Sequence, residues 1–239
     1  MSRSFEELDY QQTPMGPVSL RRRLSPTLGI DVFEVLLGDE FLMSSLFTVG
    51  ERALATLSLA RANGPALDVL VGGLGLGYTA AAALADPRVR SVTVVDALDA
   101  VIDWHRRGLV PLGAALSGDP RCRLVSGDFF DMAVASSDSG PDGFDVILLD
   151  IDHSPDALLN PRHAGFYSRQ GLARLAARLR PGGVFGMWSD AAPDPAFQAL
   201  LAGAFATSEA HVVEFDNLLG DGKASCTIYV ASEACAAPA

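Results

Sequence analysis

The chain is short of cationic side chains and of cysteine. Its 239 residues contain 18 Lys and Arg against 29 Asp and Glu, a formal net charge of −11. A body this acidic repels phosphate groups, which argues against nucleic acid or an anionic membrane as a partner. The three cysteines, Cys122, Cys226 and Cys235, are odd in number and far apart. This spacing argues against a disulfide framework or a zinc ribbon and predicts a reducing, cytoplasmic location.

Long apolar runs are also missing. The first residues are polar and acidic, so we expect no signal peptide. The most apolar stretch, residues 66–85, is interrupted by Asp68 and by four glycines between Gly72 and Gly77. A membrane helix needs a long unbroken apolar run, so this stretch instead predicts a buried strand, a glycine turn and an amphipathic helix.

The signatures of several common enzyme classes are absent. The sequence has no Gly-x-Ser-x-Gly elbow, no Walker A lysine and no His-Glu-x-x-His pair. Asp and His are good metal ligands and occur together in residues 150–153, but no second cluster of ligand spacing supports them. We therefore expect no metal ion.

The first 50 residues predict a small β-rich unit. Residues 1–16 predict a loose leader, because Pro14, Gly16 and Pro17 punctuate them. Strands are predicted at 18–23, 30–37 and 40–43 from their alternating pattern. The run Arg21-Arg22-Arg23 predicts a solvated strand edge, where charge blocks unwanted pairing.

Residues 51–239 predict a second unit in which short apolar strands alternate with Ala- and Leu-rich helices. A helix at 51–62 ends at Asn63-Gly64-Pro65. The predicted strands are 67–71, 92–95, 123–125, 144–149, 184–187, 210–215 and 225–231. The predicted helices between them are 78–85, 97–107, 129–133, 163–179 and 195–206, and Pro181-Gly182-Gly183 predicts a turn. This alternation indicates an α/β fold, a Rossmann-like sheet of seven mostly parallel strands covered on both faces.

The first strand of this unit ends in Gly72-Gly73-Leu74-Gly75-Leu76-Gly77. The dinucleotide fingerprint Gly-x-Gly-x-x-Gly fails, because Tyr78 stands where its last glycine should be. Gly-x-Gly-x-Gly does fit, and this pattern resembles motif I of enzymes that use S-adenosylmethionine (SAM). A glycine turn that only packs a strand against a helix remains the alternative.

Acidic residues follow the next three strands, where ligands bind in an open α/β sheet. Asp96 is placed to accept hydrogen bonds from a ribose diol, and Asp128 after Gly127 is placed to accept one from an adenine amine. Helix capping is the alternative for both carboxylates. Asp150, Asp152 and His153 form the richest acid/base cluster in the chain and are the candidate catalytic residues.

The order of these motifs resembles the spermidine synthase-like (polyamine aminopropyltransferase) family of SAM-fold transferases, and the resemblance covers most of the chain. It implies that Gln11 touches the donor and that the glycines 72, 73, 75 and 77 form the donor loop. It also implies that Asp96 binds ribose, that Gly127 and Asp128 bind adenine, and that Asp150 helps to deprotonate an acceptor amine.

Three departures from the family pattern concern substrate choice. Gly75 stands where the family has an Asp that grips the amine of decarboxylated SAM, and His153 stands where it has a second acidic residue. Met43-Ser44-Ser45-Leu46-Phe47 replaces the Tyr-His-Glu diamine motif. An Asp at position 75 would repel the carboxylate of intact SAM, so Gly75 removes that repulsion, adds room and favours the intact donor.

These observations lead to one functional hypothesis and two alternatives. The hypothesis is a transferase that moves a methyl or 3-amino-3-carboxypropyl group from SAM to a small amine. The first alternative is a polyamine aminopropyltransferase that uses decarboxylated SAM, and the second is a non-catalytic SAM-binding module. A homodimer formed through the β-rich unit is expected by analogy alone. The sequence does not identify the acceptor.

Overall fold

A computed structural model of the chain describes residues 5–134 and 143–234. The first four strands form an antiparallel sheet in the order β1-β2-β3-β4. Their bounds are β1 Phe5–Thr13, β2 Gly16–Ser25, β3 Ile30–Leu37 and β4 Glu40–Ser44. The three predicted strands are confirmed as β2, β3 and β4.

The predicted loose leader is wrong over its described part, because β1 pairs along its length with β2. Residues 1–4 of that leader lie outside the described residues. The arginine run also does not lie at an edge, because β2 is flanked by β1 and β3. Instead the arginines meet carboxylates across the strands: Arg22 pairs with Glu6 at 2.6 Å and Arg23 pairs with Glu34 at 2.6 Å. Such opposite-charge pairs stabilise neighbouring strands.

A helix, α1 (Val49–Arg61), joins this sheet to a second sheet of seven strands. The strand order in the second sheet is β10-β11-β9-β8-β5-β6-β7. The strands are β5 Leu67–Gly72, β6 Val89–Asp96, β7 Cys122–Ser126, β8 Phe144–Leu149, β9 Leu179–Ser189, β10 Phe205–Asp216 and β11 Lys223–Ala234. Strands β5 to β9 run parallel, and β10 and β11 form an antiparallel hairpin at one edge. The predicted mostly parallel α/β sheet is confirmed.

The remaining helices are α2 Tyr78–Leu84, α3 Asp99–Arg106, α4 Gly113–Gly118, α5 Phe129–Val134, α6 Arg169–Ala176 and α7 Pro195–Ala202. One predicted helix, 163–179, divides into a short 3-10 helix, Pro161–Gly165, and α6. The side chain of Ser168 accepts from the backbone of Gly171 and so starts α6 six residues late. The predicted turn Pro181-Gly182-Gly183 lies inside β9. Helix α4 was not predicted.

Two apolar cores cover the two faces of the larger sheet. The first core also includes buried side chains of β2 and β3, such as Leu20 and Val35, so the small sheet packs on the same core as α1 and α2. The division of the chain into two domains at residue 50 stays a prediction. Within residues 5–134 and 143–234, none of the helices has the length and apolar character needed to span a bilayer.

Candidate functional site

A cavity of about 550 Å³ lies where the carboxyl ends of β5, β6 and β8 meet the small sheet. This volume is typical of small-molecule sites. Five carboxylates line it: Glu51, Asp96, Asp128, Asp150 and Asp190. No Lys or Arg is found among the lining residues in the described parts of the chain. The cavity therefore favours a cationic ligand over an anionic one.

The glycine loop lies against the strand that carries Asp150. Gly73, Gly75 and Gly77 have φ values of +93°, +46° and +90°, a backbone region that favours glycine. A Cβ at Gly73 would lie 2.1 Å from the backbone oxygen of Asp150, and a Cβ at Gly77 would lie 2.4 Å from Leu116. Each of these glycines is thus required both by backbone conformation and by close contact.

Asp96 ties this loop to the next helix. Its Oδ2 accepts from the backbone N–H of Leu74 at 2.8 Å, and its Oδ1 accepts from Leu98 at 2.8 Å. Burial raises the pKa of Asp96, although these backbone bonds oppose the rise. A carboxylate has about four lone-pair sites. Asp96 therefore organises the loop and retains acceptor capacity toward the cavity.

Asp128 shows the capping geometry that the sequence left as an alternative. Its Oδ1 accepts from the backbone N–H groups of Phe130 at 2.8 Å and of Asp131 at 3.3 Å, at the start of α5. It also lines the cavity beside Phe129 and Phe130. Capping and ligand binding are compatible here, because one carboxylate can accept several hydrogen bonds.

Gly72, predicted in the donor loop, and Gly127, predicted beside the adenine, are not among the residues that line the cavity. Gly72 is packed closely, since a Cβ there would lie 2.5 Å from the ring of Phe129. Gly127 is not crowded, since the nearest atom to its Cβ position, on Val95, is 3.8 Å away. The close packing makes glycine necessary at position 72, and neither packing nor a positive φ requires it at position 127.

Asp150 faces the cavity at the end of β8. Its Oδ2 accepts from the hydroxyl of Thr79 at 2.6 Å. Burial raises the pKa of Asp150 above its ordinary value, although the Thr79 bond opposes this rise. A carboxylate with a raised pKa is a better proton acceptor.

Glu51, in the first turn of α1, is a site residue that the sequence analysis missed. Burial raises its pKa, and the negative charge of Asp150 raises it further. The two carboxylates thus hold a proton more readily than isolated carboxylates do. An acidic residue in the first turn of a helix is common and gives no sequence signal of a site.

The raised pKa of Glu51 makes the free energy of unfolding depend on pH. Because folding raises this pKa, the folded protein keeps its full stability while Glu51 is protonated, below about pH 4. It loses stability as pH rises through the raised pKa and Glu51 ionises. We expect Glu51→Gln to raise the free energy of unfolding by about 1–2 kcal/mol at pH 8 and by almost nothing at pH 5.

The measurement is urea unfolding of both proteins at the two pH values. Glu214→Gln is the control, because the Glu214 side chain is 62% exposed and its replacement should change stability by at most about 0.5 kcal/mol. A Glu51→Gln variant that is less stable than the wild type at pH 8 would show that Glu51 is stabilised by a charge partner.

Asp152 lies beneath the loop that follows β8, and it is not among the residues that line the cavity. Its carboxylate is buried and accepts from His163 Nδ1 at 2.8 Å and from the hydroxyl of Tyr167 at 2.9 Å. The imidazole of His163 stacks on Phe130 with ring centroids 3.9 Å apart. These contacts favour a positioning role for Asp152, whose participation in proton transfer stays a prediction.

His153 and Gln11 are placed differently from each other. His153 lines the cavity, and its Nε2 lies 3.1 Å from a carboxylate oxygen of Glu40 in the small sheet. Gln11 is not among the lining residues, and its side-chain amide donates to Asp9 at 2.7 Å. Asp9 also accepts from Trp104 of α3 at 2.7 Å. Contact between Gln11 and a donor stays a prediction.

Met43 occupies the space left by the missing side chain at Gly75. A Cβ at Gly75 would lie 2.2 Å from the Met43 sulfur, and the backbone N–H of Leu76 donates to this sulfur at 2.9 Å. The expectation that Gly75 adds room to the cavity is therefore wrong. Two departures from the family pattern, at positions 43 and 75, are in direct contact.

Comparison with known proteins gives a consistent result. A family model described as the spermine/spermidine synthase domain matches residues 51–193. The polyamine aminopropyltransferase 2 of Pseudomonas aeruginosa is 33% identical over 117 residues, covering 49% of this chain and 32% of that protein. The putrescine N-methyltransferase 2 of Nicotiana tabacum is 32% identical over 116 residues, covering 48% of this chain and 30% of that protein. The chain thus matches about a third of the length of these transferases.

Solved structures share the fold. The spermidine synthase of Thermotoga maritima has a TM-score of 0.70 at 16% identity, covering 95% of this chain and 72% of that chain. A probable spermidine synthase of Corynebacterium glutamicum has a TM-score of 0.65 at 16% identity, covering 95% of this chain and 79% of that one. At this identity the likeness shows the fold alone.

Proposed function

Because the chain belongs to the spermine/spermidine synthase family, we propose that it transfers an alkyl group from a SAM-type sulfonium donor to the nitrogen of a small amine. The observation that supports this most is the convergence of Asp96, Asp128 and Asp150 with the glycine loop on one acidic cavity. A cavity with this charge suits two cationic substrates, a sulfonium and an ammonium.

The donor would be held by the glycine loop and by the carboxylates at the ends of β6 and β7. Asp96 would accept from the ribose hydroxyls, and Asp128 would accept from the adenine amine beside the rings of Phe129 and Phe130. The sulfonium supplies a good leaving group, so the protein mainly positions the acceptor and removes its proton.

The acceptor amine must lose a proton before its nitrogen can form a bond. Asp150 and Glu51 line the same cavity, and the negative charge of Asp150 acts on Glu51. We assign this proton to the pair: the carboxylate of Asp150 receives it, and Glu51 is the neighbouring carboxyl group. In the displacement a carbon–nitrogen bond forms, the carbon–sulfur bond breaks, and its electron pair stays on sulfur.

The choice of donor separates two candidate reactions. Gly75 carries no carboxylate that would repel intact SAM, which supports methyl or 3-amino-3-carboxypropyl transfer. The absence of Lys and Arg from the described cavity lining supports the second candidate, aminopropyl transfer, because decarboxylated SAM has no carboxylate that needs a cationic partner.

Calorimetric titration with SAM, decarboxylated SAM and methylthioadenosine tests the proposal. If SAM binds more tightly than its decarboxylated form, Gly75 sets the donor; the reverse order supports aminopropyl transfer. Turnover then identifies the reaction, because methyl transfer releases S-adenosylhomocysteine and both propyl-type transfers release methylthioadenosine. Binding of a donor without consumption of any amine would instead support a non-catalytic module.

A further inference from the structure

Resting on the proposed function, we propose that the acceptor is a monoamine with an apolar body rather than a diamine. The small sheet and its connection to α1 contribute apolar side chains to the lining, and none of the lining residues between positions 15 and 47 is charged. This part of the cavity offers no charged partner for a second ammonium group.

The acceptor wall consists of Phe41, Met43, Phe47 and Phe215. All four line the cavity, and the rings of Phe47 and Phe215 have centroids 6.0 Å apart. This contact extends the wall from the small sheet to the edge strand β10. The sulfur of Met43 accepts from the backbone N–H of Leu76 in the glycine loop. The wall is therefore apolar and lies beside the donor loop.

The carboxylates that remain for an amine are Glu51, Asp150 and Asp190. All three line the cavity, and so does Cys226. Glu40 is not among the lining residues, and its carboxylate is paired with His153. This cluster can therefore pair with the ammonium group of an acceptor.

The two acceptor types differ in what they place against the wall. The second ammonium of a diamine would have to shed its water next to apolar side chains, which is unfavourable without a paired charge. An alkyl or aryl group at the same place would be removed from water at a gain. The cavity therefore distinguishes acceptors by the group they carry at the end opposite the reacting amine.

Pentylamine and putrescine test this directly, because they have the same number of heavy atoms and differ by a methyl in place of the second amine. Competition binding would be measured by calorimetry on the full chain in the presence of methylthioadenosine. We expect pentylamine to bind at least tenfold more tightly than putrescine. Equal affinities, or tighter binding of putrescine, would overturn the proposal.

A charge placed in the wall should reverse the preference. We expect Phe47→Glu to shift the ratio of affinities toward putrescine by at least tenfold, and Phe47→Gln, of the same size without charge, to leave putrescine no better than pentylamine. Phe41→Glu and Phe41→Gln repeat the comparison at a side chain that is 48% exposed, so loss of packing does not obscure the result. An unchanged ratio in both Glu variants would overturn the proposal.

The experiment separates this inference from the proposed function. If methylthioadenosine binds and putrescine is preferred, the acceptor inference is wrong while the sulfonium-transfer proposal stands. If methylthioadenosine does not bind, the proposed function fails, and with it the inference that rests on it.

Discussion

Replacing Asp150 by Asn is expected to lower kcat by about 10²–10⁴-fold, because the amide cannot take a proton from the acceptor. Asn has the same shape, and its carbonyl oxygen can still accept the 2.6 Å hydrogen bond from Thr79. Donor affinity should therefore change by no more than about threefold. Steady-state kinetics together with calorimetric donor binding would measure both quantities.

Asp128→Asn is the matched control for this prediction. The Asn oxygen can still cap α5, but the substitution removes a charge from the adenine side of the cavity. We expect the KM for the donor to rise while kcat stays near the wild-type value. An Asp150→Asn variant with wild-type kcat would show that another group receives the proton.

Replacing Gly73 by Ala is expected to lower the free energy of unfolding by about 3 kcal/mol and to abolish donor binding. Two costs combine here. The φ of Gly73 is +93°, which is strained for alanine, and its Cβ would lie 2.1 Å from the backbone oxygen of Asp150. Because a backbone atom cannot rotate away, the loop and the end of β8 must separate.

Gly108→Ala separates the two costs. Gly108 also has a positive φ, +67°, but its Cβ would meet nothing within 4 Å. Its replacement should cost only the conformational strain, about 1 kcal/mol. Equal losses in urea unfolding for the two variants would contradict the close contact between the glycine loop and Asp150.

The sheet could be predicted because its signals are local. Continuous apolar runs such as Phe144–Leu149 are typical of parallel strands covered on both faces, and this strand has the bounds that the sequence predicted. The meeting of Asp96, Asp128 and Asp150 at the cavity also follows from local information, because parallel strands bring their carboxyl ends to one edge.

Long-range contacts explain what could not be predicted. Strand β1 is stabilised by pairing with the arginines of β2, so its own composition did not reveal it. Glu51 reaches the cavity only because α1 packs beside the larger sheet, and Met43 meets Gly75 only because the two sheets pack together. Asp152 lies two residues from Asp150 but is held by His163 and Tyr167 instead of facing the cavity.

In the proposed function, the glycine loop and the carboxylates beside it form a nucleoside-binding site. Calorimetric titration with methylthioadenosine tests this, since this ligand carries the adenine and ribose of both donors. It lacks the aminocarboxypropyl chain of SAM and the aminopropyl chain of decarboxylated SAM. We predict saturable binding of one molecule per chain, lost in the Gly73→Ala variant. A wild-type protein that binds no methylthioadenosine would show that the loop only packs a strand against a helix and holds no nucleoside.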